Sequence, residues 1–138
     1  MSAPADNPAG TVVSGSYGFT APPEVVFGVL TDPDRTTRWL PRGLHAESAT
    51  QERVRVRCGS TVYEYDVEVV PDQLTVRWRS GDVSSGHGSA RVRDAPAGGS
   101  VLDARVAGAD CDEPRVRELL AETMYHLQRD VSDNFNAG

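Results

Sequence analysis

From residue 53 to residue 80 apolar and charged side chains alternate almost one by one, a period of two that marks half-buried β-strands. RVRVRC (53–58) places Val54, Val56 and Cys58 on one face and Arg53, Arg55 and Arg57 on the other. Gly59-Ser60 reads as a two-residue turn into TVYEYDVEVV (61–70). There Tyr63, Tyr65, Val67 and Val69 share one face, and Glu64, Asp66 and Glu68 the other. Pro71-Asp72 reads as a second such turn into QLTVRWRS (73–80), where Leu74, Val76 and Trp78 oppose Thr75, Arg77 and Arg79. Two-residue turns at both ends align Arg53–Asp66–Arg77 and Arg55–Glu64–Arg79 as cross-strand rows, each opposite-charge pair worth about 0.2–1 kcal/mol. The charged face is therefore expected to be a solvated outer surface and not a binding patch. One wet face and one apolar face describe an antiparallel sheet that covers something.

The flanking segments extend the pattern. SGSYGF (14–19) alternates, with Gly15, Tyr17 and Phe19 on one face. PPEVVFGVL (22–30) carries prolines where a helix start tolerates them and Val25, Val26, Val29 and Leu30 at helical spacing. TDPDRTTRWL then reads as a second, short helix. Asp32 is its N-cap, Pro33 its first residue and Asp34 an acid in its first turn, with Pro41 and Gly43 ending it. Beyond residue 80, HGSARVRD (87–94) and SVLDARVAG (100–108) are strands joined by APAGG, a run of turn formers. Their inward parity runs Gly88, Ala90, Val92 and Leu102, Ala104, Val106, Gly108. Side chains this small leave room beside Tyr, Trp and Val, although Gly86 and Gly88 equally fit a bulge or bend. The chain ends in a long helix, EPRVRELLAETMYHLQRDVSDNF, with Asp112 as its cap and Glu113 and Pro114 in its first turn. Val116, Leu120, Thr123, Met124, Leu127 and Val131 form its apolar stripe, which must lie on the sheet.

The resulting order is strand, two short helices, six strands, long helix. At 138 residues this is one domain, with residues 11–136 as its body and residues 1–10 as a Pro-, Ala- and Gly-rich lead expected to be disordered. The lead has neither the basic nor the apolar region of a secretory signal, and no apolar run is long enough to span a membrane. On these features the chain is expected to be cytoplasmic. A net charge of −6 argues against a nucleic-acid footprint. All 14 basic residues are arginine and isoleucine is absent, which fits a GC-rich genome. Cys58 and Cys111 lie far apart and read as free thiols.

APPEVVFGVLTDPDRTTRWLP at the front and RELLAETMYHLQRDVSDNF at the back resemble the START-like, Bet v 1-like (SRPBCC) superfamily, in its bacterial polyketide cyclase/dehydratase and lipid-transport branch. The resemblance covers nearly all of residues 11–136. It implies an α+β helix-grip fold, in which a curved antiparallel sheet of about seven strands wraps round the C-terminal helix. It also implies a deep apolar cavity, closed at one end by the two short helices, that holds a lipid- or polyketide-like ligand. Shared inward parity or stripe position then selects a lining of Tyr17, Phe19, Trp39, Tyr63, Tyr65, Trp78, Ala90, Ala104, Met124 and Leu127. Trp39 would plug the cavity mouth, making TDPDRTTRWLP a gate.

Little in the chain points to catalysis. His45, His87 and His126 are not at metal spacing, and no cofactor or metal motif is present. His87 shares a face with Arg91 and Arg93 and should point outward, whereas parity does not orient His45. His126, beside Leu119 and Thr123, reads as a half-exposed surface histidine near the cavity rim. Asp110 and Asp112 flank Cys111 as capping rather than metal chemistry, and Asp103 is expected to pair outward with Arg91. No arginine has inward parity. Three classes follow. The first is a carrier of a small hydrophobic molecule, as monomer or homodimer. The second is a polyketide cyclase or dehydratase. The third is an interaction protein of the Hsp90-activator-like or ribosome-associated kind. An inward polar pair would favour the enzyme, and a wholly apolar cavity the carrier.

Overall fold

The computed structural model describes residues 11–41, 43–81, 86–108 and 113–137. The elements run β1 (Thr11–Phe19), α1 (Pro23–Thr31), a 3-10 turn (Pro33–Arg35), α2 (Thr36–Trp39), β2 (Leu44–Ala49), β3 (Arg53–Cys58) and β4 (Thr61–Val70). A second 3-10 turn (Pro71–Gln73), β5 (Thr75–Ser80), β6 (His87–Asp94), β7 (Ser100–Gly108) and α3 (Glu113–Ala137) complete the chain. All seven strands form one antiparallel sheet in the order β1-β7-β6-β5-β4-β3-β2. The expected α+β sheet with a long C-terminal helix is therefore observed.

Local chemistry explains most boundaries. The Asp32 carboxylate accepts from the Asp34 backbone N–H at 2.9 Å, capping the turn that Pro33 begins. The short helix foreseen over 31–40 is split: a 3-10 turn leads into a single α turn, which ends where Leu40 becomes extended. Gly59, at φ +62°, supplies the left-handed residue of the two-residue turn between β3 and β4.

The second tight turn is different. Pro71–Gln73 is a 3-10 turn closed by Leu74 in the left-handed region (φ 46°, ψ 46°), so β5 begins at Thr75. The longer connection shifts the register by two residues. Asp66 faces Arg53 on one side, as expected, but Arg79 rather than Arg77 on the other. Arg77 instead faces Glu68 and bonds it at 3.3 Å.

The core lies between α3, α1 and the inner face of β1, β7 and β6. Val13, Val26, Val92, Leu102, Leu127 and Val131 are at most 2% exposed. Enclosing such side chains contributes about 1.5–3 kcal/mol each. Five of the six stripe residues foreseen on α3 are buried, with Thr123 half-buried. Asp130 is also buried on that helix, at 7% exposure, although its charge argued against it. Polar ties fix the layers: Ser100 Oγ donates to the Ala21 carbonyl at 2.9 Å, and Gln128 Nε2 to the Gly18 carbonyl at 2.8 Å. No helix among the described residues is long and apolar enough to cross a membrane. The proposed cap Asp112, with Asp110 and Cys111, lies outside the described residues.

Candidate functional site

The strand registers assign the inner face residue by residue. One row crosses the sheet as Val13, Val106, Gly88, Trp78 and Val67. The adjacent row is Gly15, Ala104, Ala90, Val76 and Val69. On the far half Tyr65 stands opposite Val54, and Tyr63 opposite Val56. Every described strand arginine of β3, β5, β6 and β7 has the opposite parity, so none of them stands on the inner face.

Helix coverage of this face is unequal. α3 packs on β1 and β7 and against α1 and α2, while α2 packs on β2. On these strands Val13, Phe19, Ala90, Val92, Leu102 and Ala104 are buried, while Gly15, Tyr17, Gly88 and Val106 are half-buried. On β3 and β4, Val54, Tyr63, Tyr65, Val67 and Val69 remain half-buried, as does Trp78 of β5, whereas Val56 of β3 and Val76 of β5 are buried. The inner face thus divides into a packed half beneath α3 and a half-covered apolar wall on β3–β5.

The ten residues selected from the sequence fall on both sides of this division. Phe19, Ala90, Ala104, Met124 and Leu127 belong to the packed core. Tyr17, Trp39 and Trp78 are partly buried at its edge. Tyr63 and Tyr65 stand on the half-covered wall. Gly88, expected to leave room or bend the strand, instead accommodates an aromatic ring, and so does Gly15. A Cβ at Gly88 would lie 2.4 Å from Trp78 Cζ2, and one at Gly15 would lie 2.6 Å from the Tyr17 hydroxyl. Trp78 therefore lies flat across the strand onto Gly88, the backbone taking the place of a side-chain partner.

The segment after α1 is anchored rather than loose. Arg35 Nη1 donates to Asp130 Oδ1 at 2.9 Å, and Arg38 Nη1 lies 3.6 Å from the same oxygen. His126 Nδ1 donates to the Leu40 carbonyl at 3.1 Å, so the ring is half-buried against α2 rather than free at a rim. Trp39 is packed into the same junction, and its indole N–H is enclosed without a partner among the described residues. Sequence reading missed Asp130. Its signal was an acid between Leu127 and Val131, on the stripe that faces the arginine-bearing α2.

The outer face carries the charge. Arg53–Asp66 (3.3 Å), Arg77–Glu68 (3.3 Å) and Arg57–Glu47 are ion pairs there. Asp103 stands opposite Arg91 as expected but pairs with its diagonal neighbour Arg93 at 2.7 Å, and it accepts from Ser16 Oγ at 2.6 Å. Those two hydrogen bonds, the one from Arg93 first, hold its carboxyl below the usual carboxylate range. His87 is exposed on this face, and so is His45, which stands opposite Arg57. No metal-sized group of His, Cys, Asp and Glu occurs among the described residues.

Comparison with known proteins follows from this architecture. The family model described as polyketide cyclase/dehydrase and lipid transport matches residues 11–136. The chain belongs to that family. No curated relative matches its sequence. Among solved structures, protein NE0264 of Nitrosomonas europaea aligns with a TM-score of 0.71 at 11% identity, covering 89% of this chain and 95% of the other. Protein CV1439 of Chromobacterium violaceum aligns at 0.66 and 17% identity, covering 87% and 96%. The Aha1 dimer of Colwellia psychrerythraea aligns at 0.60 and 12% identity, covering 89% and 94%. At these identities the family member shares a fold with its neighbours, and its chemistry has to come from its own side chains.

Proposed function

We propose that this family member binds a small hydrophobic molecule against the half-covered wall of β3–β5, as a carrier rather than a catalyst. The observation that carries the reading is the uneven coverage of the inner face. Tyr63, Tyr65, Val67, Val69 and Trp78 stay half-buried on the side that α3 leaves open. Apolar and aromatic surface of this kind, beneath a rim of helices, is where a lipid- or polyketide-like ligand gains most from leaving water. Ala90 and Ala104 form the floor at the boundary, and Phe19, Met124 and Leu127 hold it rigid from beneath. Tyr17, Trp39 and Trp78 form the edge that such a ligand would touch. Among the described residues no strand arginine faces inward, and no ion pair stands on the inner face of the sheet, which supports binding over enolisation chemistry.

Titration with an apolar fluorescent dye tests the reading. Trp78→Ala should weaken dye binding more than Trp39→Ala, because Trp78 lies on the wall itself. Equal losses would sink the assignment. Native mass spectrometry of protein purified from its own host would then identify the natural occupant.

A further inference from the structure

The outer face of β5, β6 and β7 carries more arginine than the acids of these three strands neutralise. On β5, β6 and β7 its residues are Thr75, Arg77 and Arg79, then His87, Ser89, Arg91 and Arg93, then Val101, Asp103, Arg105 and Ala107. Five of these are arginines, and the single acid is Asp103, in a chain whose net charge is −6. Asp103 is already held by Arg93 and Ser16, and Arg77 by Glu68 on β4. Arg79, Arg91 and Arg105 have no ion pair among the described residues.

These cations are arranged round one hydroxyl. Ser89 stands directly between Arg77 and Arg105 in the strand register. Arg91 and His87 are its same-face neighbours along β6. The same row continues to Ser14 of β1, opposite Arg105. Ser89, Arg77, Arg91, Arg105 and Ser14 line a depression of about 540 Å³ that also includes Ser16, Thr75, Gln73 and Asp103, the last held by Arg93 and Ser16. Arginine forks and hydroxyl donors that converge on a concave surface match the oxygens of a phosphate group. A merely solvated face would be expected to alternate acids with its arginines, as β3 and β4 do with Arg53, Arg55, Glu64 and Asp66.

We propose that the depression round Ser89, on the face opposite the apolar wall, binds a doubly charged oxyanion of phosphate size, presented by a phosphorylated small molecule. Ser89 and Arg105 supply the centre of the site, and Arg91 and Arg77 its flanks. The amide spectrum of ¹⁵N-labelled protein, titrated with inorganic phosphate against sodium chloride at matched ionic strength, tests this. Saturable shifts are expected at residues 89, 91 and 105 with phosphate alone. Arg105→Gln and Arg91→Gln should each weaken that binding about fivefold, on the scale of one exposed charge-assisted hydrogen bond. Arg115→Gln, on α3 beside Glu118, should leave it unchanged. Shifts that follow ionic strength alone, or equal losses in the Arg115 variant, would overturn the proposal. So would saturation by an acidic peptide such as polyglutamate with none by phosphate.

Discussion

Gly88→Ala isolates the contact that sets the shape of the apolar wall. The added methyl would sit 2.4 Å from Trp78 Cζ2, 2.7 Å from Cε2 and 2.8 Å from the Arg105 carbonyl oxygen. Carbon atoms at rest stand about 3.5–4.0 Å apart, so the overlap exceeds ~1 Å and cannot be absorbed without moving the ring or parting β6 from β7. Overpacking of this kind costs typically about 1–3 kcal/mol. Replacing glycine by alanine returns roughly 0.4–1 kcal/mol through the unfolded chain, which leaves a net loss of about 1–2 kcal/mol. For a chain of this size that lowers Tm by roughly 3–8 °C. Urea unfolding of wild type, Gly88→Ala, Trp78→Ala and the double variant completes the cycle. With the indole removed, the methyl should cost clearly less, the remaining cost coming from the Arg105 carbonyl, and the coupling should be about 1 kcal/mol. A neutral Gly88→Ala, or the same cost with and without Trp78, would refute the claim that the ring lies on the glycine. The second outcome would leave the Arg105 carbonyl as the only obstacle. Because the displaced ring is pushed off its seat, Gly88→Ala should also weaken dye binding.

Three further outcomes test other links. Asp130→Asn removes the charged partner at 2.9 Å from Arg35 in a site where the carboxylate is buried and the guanidinium half-buried. It should cost roughly 1–3 kcal/mol and speed amide exchange over residues 33–40 more than in the sheet. Leu127→Ala, in the middle of the buried stripe, should cost about 2–5 kcal/mol in denaturant unfolding, and a loss below that range would show that the site collapses. Asp103 titrates below its ordinary range, so its pairing stabilises the fold above about pH 4 and the contribution is lost as pH falls through the lowered pKa. Asp103→Asn should therefore flatten stability against pH on the acid side only. The effect will be small because the pair is solvent-exposed, and a change confined to neutral pH would contradict the assignment.

Much of this was legible in the sequence, and the failures share one origin. Alternation over 53–80 and the stripe of α3 were read correctly because each is a local property of backbone period. The register of β5 was not, because Pro71-Asp72 looks like a two-residue turn and only the left-handed Leu74 reveals the longer one. Asp103 was given the right strand partner and the wrong ion-pair partner, since long side chains reach diagonally. Gly88 was read as a space or a bend when its neighbour's indole occupies it. Asp130 was passed over because a lone carboxylate on an apolar stripe looks like an error until Arg35, 95 residues away in the chain, lies beside it.

The sequence by itself therefore determined the elements, their faces and the family, all of which depend on periodicity and on short capping and turn signals. Only the tertiary structure decided which half of the inner face α3 covers, and which arginines of the outer face have no ion pair among the described residues. Both depend on the register of strands distant in sequence. A two-residue slip in that register leaves every side chain on its own face while changing which neighbour it meets.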